Sequence, residues 1–318
     1  MLNWNLYFNL EKGDRYMKER NLVFHILALL TMIVWGLSYL SSEIAMREVP
    51  PSLLAFYRFL IAGGVLYLIK RWKFKKDKII KGDMKYLILG GIFGVALYFS
   101  LQNFAVYYTS SLNVSVLIAI TPVFTLLVQR IFFKEKLNVY KSSGVIISVF
   151  GIFLIVASKG KISLFSEGSI GDVMTICAVF SWIVYNIVIG KLKGTYSAIT
   201  ITAYQSLWGA LFLSPTLLLD KPKMVSPLTI FNIIYLSIFC TIIAFVLYIR
   251  CLQRLGPTII TTYVNFQPVV GVIAACILLG QKINSLQFLG SACIIVSAFL
   301  VNKKVKEKNK VVVEQLQV

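Results

Sequence analysis

Long apolar runs, nearly free of charge, alternate along this chain with short polar knots. Residues 22–42 contain no Asp, Glu, Lys or Arg, residues 52–69 contain only Arg58, and residues 86–129 again contain none. Inside that last run the stretch "YYTSSLN" (Tyr107 to Asn113) marks a break between two helices. Further runs lie at 142–158, 172–190, 198–219, 229–249, 258–279 and 285–302. About 20 largely uncharged residues cross roughly 30 Å of hydrocarbon as an α-helix, so the pattern predicts ten spanning helices. One run carries an anomaly. In "IAITPVFTLLVQR" (Ile118 to Arg130), Pro122 falls in the middle of the fourth span, where a proline lacks an N–H, clashes with the preceding turn and costs about 3 kcal/mol.

Composition agrees with the bilayer as solvent: of 318 residues 58% are hydrophobic and 14% charged, and the mean hydropathy is +0.79. The expected fold class is all-α integral membrane. A net charge of +19 would suit nucleic acid, but the basic residues sit in alternate loops. With the N-terminus inside, 25 of the 32 Lys and Arg fall in inner segments and six in outer ones, leaving Arg58 within the membrane. This asymmetry predicts a multi-pass protein of the cell (inner or plasma) membrane with both termini in the cytoplasm, its basic loops facing anionic lipid rather than nucleic acid. The five cysteines lack metal-ligand spacing and read as small packing residues. Residues 1–16, ahead of Met17, read as a dispensable extension, and residues 306–318 as a second cytoplasmic tail.

The chain also repeats itself. A shift of 146 brings Pro122 onto Pro268, Lys136 onto Lys282, Asn138 onto Asn284 and Gly144 onto Gly290, and a shift of 147 brings Trp35 onto Trp182 and Tyr57 onto Tyr204. The halves are residues 17–165 and 166–305. Five spans in each half is an odd number, so the second half is expected upside down relative to the first. Two inverted five-helix repeats are a recurrent plan of secondary transporters, which open a midplane site to each side in turn.

The Trp35-Gly36 pair, "FYRFLIAGG" (Phe56 to Gly64), "ITPVFTLLVQRIFFKEKLNVYKSSGVIISVFGIFLI" (Ile120 to Ile155) and "FQPVVGVIAACILLGQKINSLQFLGSACIIVSAFLV" (Phe266 to Val301) resemble the EamA-type branch of the drug/metabolite transporter superfamily. The resemblance covers Leu22 to Asn302. It implies a basket of ten helices around a central cavity, and export or exchange of small metabolites such as amino acids. Gln281, where the family's second repeat commonly carries an acidic residue, and Glu43 depart from the pattern.

Ionisable groups in a span cost about 2.5–3.5 kcal/mol on insertion scales and are functional candidates by default. Arg58 and Glu43 lie at depths about 5 Å apart by the 1.5 Å rise per residue, and are expected to pair as a clamp between helices. The sharper alternatives give Arg58 an anionic substrate group, or make Glu43 a proton carrier. Neutral polar residues in the spans must face protein or a cavity: Gln102 and Asn103, Asn186, Gln205, Asn265 and Gln267. Trp35, Tyr39, Tyr98, Trp182 and Tyr263 would complete a wall for amphipathic solutes. Gly63-Gly64 and Gly90-Gly91 read as close-packing sites, and His25, the one histidine, as an ordinary interfacial residue. Pro122 and Pro268 are expected to break two pathway helices at related depths and turn the carbonyls near Ile118 and Val264 toward the cavity. No cofactor or metal site is expected. The leading function is a secondary transporter, an exporter of small organic metabolites; the alternatives are a proton-coupled multidrug exporter and, from another class, a membrane scaffold or lipid-modifying enzyme.

Overall fold

The computed structural model describes residues 4–109, 120–132, 139–157, 169–219, 224–267 and 285–302, with 114, 117, 118, 134, 269, 270 and 273 in addition. Among these residues all regular structure is helical. In chain order the helices are α1 (Trp4–Ala45), α2 (Pro51–Lys73), α3 (Lys81–Tyr108), α4 (Thr121–Phe132), α5 (Val139–Ala157), α6 (Ser169–Gly190), α7 (Ala198–Leu213), α8 (Pro227–Leu255), α9 (Pro257–Val264) and α10 (Ser285–Asn302), with a single helical turn at Thr216–Leu219. Five are long and apolar enough to cross a membrane, namely residues 22–45 of α1, all of α2, all of α3, residues 170–190 of α6 and all of α8. Shorter apolar helices cover 121–132, 139–154 and 288–301.

Each long helix divides its apolar residues between two surroundings. Ala62, Gly63 and Leu66 of α2 are buried against the protein, whereas Leu60, Val65 and Leu68 are exposed. Leu30 and Leu40 of α1 and Phe231 and Ile234 of α8 are exposed likewise. Exposed apolar side chains in this number would favour association in water but carry no penalty against lipid tails. The buried faces pair as α2 with α7, α5 with α10, α4 with α9, α1 with α8 and α3 with α6. Exchanging the two halves of the chain maps this set of pairs onto itself.

Two helices depart from α geometry at related places. Residues Ile92–Leu97 of α3 and Leu236–Ile243 of α8 are wound as π-helix. An extra residue in the turn leaves carbonyls without their ordinary i+4 partner, and each widened turn finds a donor from a helix of the other half. The Ser181 hydroxyl of α6 donates to the Phe93 carbonyl at 2.7 Å, and the Trp35 indole N–H of α1 donates to the Cys240 carbonyl at 2.9 Å. At the end of α8, Gly256 adopts a φ of +81°, where a side chain would be strained, and Pro257 then starts α9.

Pro122 is not the mid-helix proline that the apolar run suggests. It occupies the first turn of α4, where the missing N–H would have no intrahelical partner and the fixed φ suits helix initiation. The freed carbonyl of Ile118 accepts a bond from the Thr121 hydroxyl at 2.5 Å and is not offered to a cavity. Pro268, its expected counterpart, lies outside the described residues.

The link between α2 and α3 is fastened to the start of α7. Asp77 accepts bonds from the Ser197 N–H at 2.9 Å and the Thr200 hydroxyl at 2.8 Å, at a helix N-terminus where a negative charge is favoured. Asp83 accepts from the N–H groups of Lys193 and Gly194 and from the Tyr196 hydroxyl. At the other end of the bundle Glu48 accepts from the Ser226 N–H at 2.7 Å, before α8. Burial opposes the charge on Asp77, but its bonds from Ser197 and Thr200 and the neighbouring Lys70 outweigh that and hold its carboxyl below the ordinary range. A pKa lowered by folding stabilises the fold above the unfolded value of about 4, and the contribution disappears as pH falls through the folded value. Asp77→Asn is therefore expected to melt below the parent at pH 7, with the gap closing below about pH 4; paired thermal melts in detergent across pH 3–8 check both the sign and the window.

Candidate substrate cavity

The first half of the chain supplies most of a cavity inside the bundle. From α1 come Trp35, Ser38, Tyr39 and Ser42, spaced by three or four residues so that they share one face. Arg58 enters from α2, and Tyr98, Phe99, Gln102, Asn103 and Val106 line it from α3. Trp182 of α6 and Gln267 close it from the second half. The cavity between these walls is small, about 30 Å³. In this conformation it is a narrow slot, with room for a few waters and not for a metabolite.

Its floor is aromatic. The rings of Trp35 and Trp182, which the 147-residue shift superimposes, meet edge to face with centroids 5.9 Å apart. Tyr98 lies 4.6 Å from Trp182, and Tyr248 lies 5.1 Å from Trp35 and 5.2 Å from Trp182, with Phe245 beside them. These separations are those of attractive aromatic pairs. Beneath this layer lies a second cavity, lined by Thr125 and Val128 of α4, Ile183 and Asn186 of α6, Ile201 of α7, Gln253 of α8 and Pro257 of α9. It is far roomier, with about 460 Å³ open to the centres of water-sized molecules. Trp182 faces the first cavity and Ile183 and Asn186 the second, so the aromatic layer is the partition between them. Asn186 also accepts a bond from the Tyr248 hydroxyl at 2.8 Å and donates to the Trp182 carbonyl, which ties the partition to the second cavity's wall.

Of the residues singled out from sequence, the first cavity gathers Trp35, Tyr39, Arg58, Tyr98, Gln102, Trp182 and Gln267, and the second takes Asn186. Tyr263 lines neither; its hydroxyl lies 2.8 Å from Nδ1 of His25. Asn265 bonds to Ser148 of α5. Gln205 is buried beside Gly90 of α3, and Asn103, though it lines the first cavity, spends its amide on the Pro51 carbonyl at 2.9 Å. The expected pairing of Arg58 with Glu43 does not form. Arg58 Nε donates to the Thr241 hydroxyl in the π-turn of α8 at 2.7 Å, and Glu43 is exposed on α1. Ser38, Ser42 and Phe99 were not singled out, although their spacing from Trp35, Tyr39 and Gln102 carried the signal. Thr241 had none, because it meets Arg58 only through the packing of α8 on α2.

The sequence model of the EamA-like transporter family matches the chain twice, over residues 22–157 and 169–303. An uncharacterized transporter of Archaeoglobus fulgidus is 34% identical over 284 residues, covering 88% of this chain and 97% of that one. A protein of Escherichia coli K12 named "Probable amino-acid metabolite efflux pump" is 26% identical over 297 residues, covering 86% of this chain and 93% of its own. Among solved structures, one crystal structure shares the fold with a TM-score of 0.72 at 16% identity, covering 88% of this chain and 98% of that one.

Proposed function

We propose that this chain, which belongs to the EamA-like transporter family, is a secondary transporter that exports small organic metabolites such as amino acids by alternating access. In this reading all ten apolar runs of the sequence span the membrane, the repeat of residues 166–305 lies inverted on that of residues 17–165, and both termini face the cytoplasm. The observation that carries it is the pair of cavities divided by Trp35 and Trp182. A solute would enter the roomy cavity from the Asp77 end, the cytoplasmic end by the distribution of basic residues. Rearrangement of the aromatic partition would then close that cavity and widen the narrow one. The E. coli efflux pump, similar over most of the chain, supports amino-acid-like cargo.

The test is flux in proteoliposomes loaded with pooled cellular metabolites, read by mass spectrometry with and without a pH gradient. Selective loss of a few small organic solutes is expected, and its absence for every solute in well-folded protein would overturn the reading. Glu43 lies outside both cavity linings, so Glu43→Gln is expected to keep the parent's flux and its response to pH. A variant that loses the response to a pH gradient would restore the proton-coupled multidrug exporter.

A further inference from the structure

We infer that the transported solute carries a carboxylate, which docks on Arg58, and that purely cationic solutes are excluded. The inference rests on the assignment of the α1–α2–α3 cavity as the substrate site and names the chemistry that site selects. Arg58 is only 4% exposed, yet it lines the cavity. A guanidinium withdrawn from water needs charge compensation, and the structure gives Arg58 little. Among the described residues its one hydrogen bond runs from Nε to the neutral Thr241 hydroxyl at 2.7 Å. The rings of Phe99 and Phe59 lie 4.5 and 5.3 Å from its central carbon, a cation–π contact that offsets part of the lost hydration. No carboxylate lines the cavity among the described residues, and Glu43, the nearest acid along α1, is exposed.

The two terminal nitrogens of Arg58 are thus left for a ligand, and their planar fork matches the two oxygens of a carboxylate. Charge favours a monoanion over a phosphate monoester: Arg58 is the one charged residue among the described lining residues, so a dianion would stay half neutralised. Trp35, Tyr98 and Trp182 present apolar surface beside the cation, which suits an acid with an apolar body. The Ser38 oxygen, whose proton is donated to the Trp35 carbonyl at 2.7 Å, can still accept a bond from a second polar group, such as the amine of an amino acid. An amine without an acid group would meet a like charge and find no counter-ion there.

Three probes with one phenyl body separate the possibilities: 3-phenylpropionate, L-phenylalanine and phenethylamine. With the purified full-length protein, quenching of tryptophan fluorescence and counterflow in proteoliposomes are expected to favour both acids over the amine by at least about tenfold, the discrimination typical of a desolvated charge contact. Arg58→Gln is expected to lose that preference and its acid-induced rise in melting temperature, while Arg58→Lys keeps part of both. Thr241→Val leaves the charge in place, so it should retain the preference even if affinity changes; this arm holds if Arg58→Gln fails to fold. Amine transport equal to that of the acids, or an unchanged preference in folded Arg58→Gln, would overturn the inference and leave the transporter reading intact. If the three probes do not move, the pooled-metabolite assay decides: carried solutes that all bear a carboxylate support the inference, and carried solutes without one overturn it. No flux at all overturns both.

Discussion

Trp35→Ala is expected to abolish transport and to destabilise the folded protein by about 3–5 kcal/mol. One side chain here has three tasks. Its ring packs on Trp182, Phe245 and Tyr248, it forms part of the first cavity's floor, and its N–H holds the Cys240 carbonyl in the π-turn of α8. Alanine would open the partition and leave that carbonyl without its donor. Trp35→Phe separates these tasks, since it keeps a ring in the partition and removes only the hydrogen bond. A buried carbonyl without a partner costs about 1–3 kcal/mol, so Trp35→Phe should melt between parent and Trp35→Ala and should transport slowly. Proteoliposome counterflow, with melting measured on the same preparations, checks the order. Parent-like transport in Trp35→Ala would mean that the aromatic layer is packing and that solute passes elsewhere.

Five long apolar helices were legible because uncharged runs of that length have few other uses, and the kinship of Trp35 with Trp182, whose rings meet, was legible because the repeat keeps its register. What failed was angular. Arithmetic at 1.5 Å per residue put Glu43 and Arg58 at similar depths, but depth says nothing about the side of the helix. Glu43, four residues after Tyr39, falls about 40° beyond it around α1, at the edge of the face that Trp35, Tyr39 and Ser42 present to the cavity, and it is exposed there, while Arg58 meets Thr241 instead. Pro122 misled for a related reason. Hydropathy does not distinguish a proline that kinks a helix from one that begins a new segment inside the same apolar run, and Thr121, whose hydroxyl takes up the Ile118 carbonyl, was the local clue. The π-turns left no sequence trace at all. "IFGVAL" and "LSIFCTII" would suit an ordinary α-helix, and their extra residue is held by Ser181 and Trp35, donors that only the tertiary fold supplies.

Gly91→Ala is expected to destabilise the protein by at least about 1–3 kcal/mol, although alanine is intrinsically the better helix former by about 0.5–1 kcal/mol. Without a strong hydrophobic drive between helices in lipid, close backbone approach supplies much of their association, and Gly91 lies where α3 crosses α7. A methyl group there would sit 2.7 Å from Cβ of Trp208, 2.8 Å from the Gly209 N and 2.9 Å from the Gln205 carbonyl. Two of those neighbours are backbone, so relief requires the helices to part. Parting them would also disturb the π-turn that begins at Ile92, next in the chain, and transport is expected to fall with stability. The paired glycines of α2 supply the control. A methyl at Gly63 would meet Leu207 at 3.0 Å, whereas one at Gly64 meets nothing within 4 Å. Gly64→Ala should therefore be neutral or stabilising, by up to about 1 kcal/mol, even though both glycine pairs look alike in sequence. Thermal melts of Gly64→Ala, Gly63→Ala and Gly91→Ala should fall in that order from most to least stable; equal stability of the Gly64 and Gly91 variants would remove close packing as the reason for the glycine at 91.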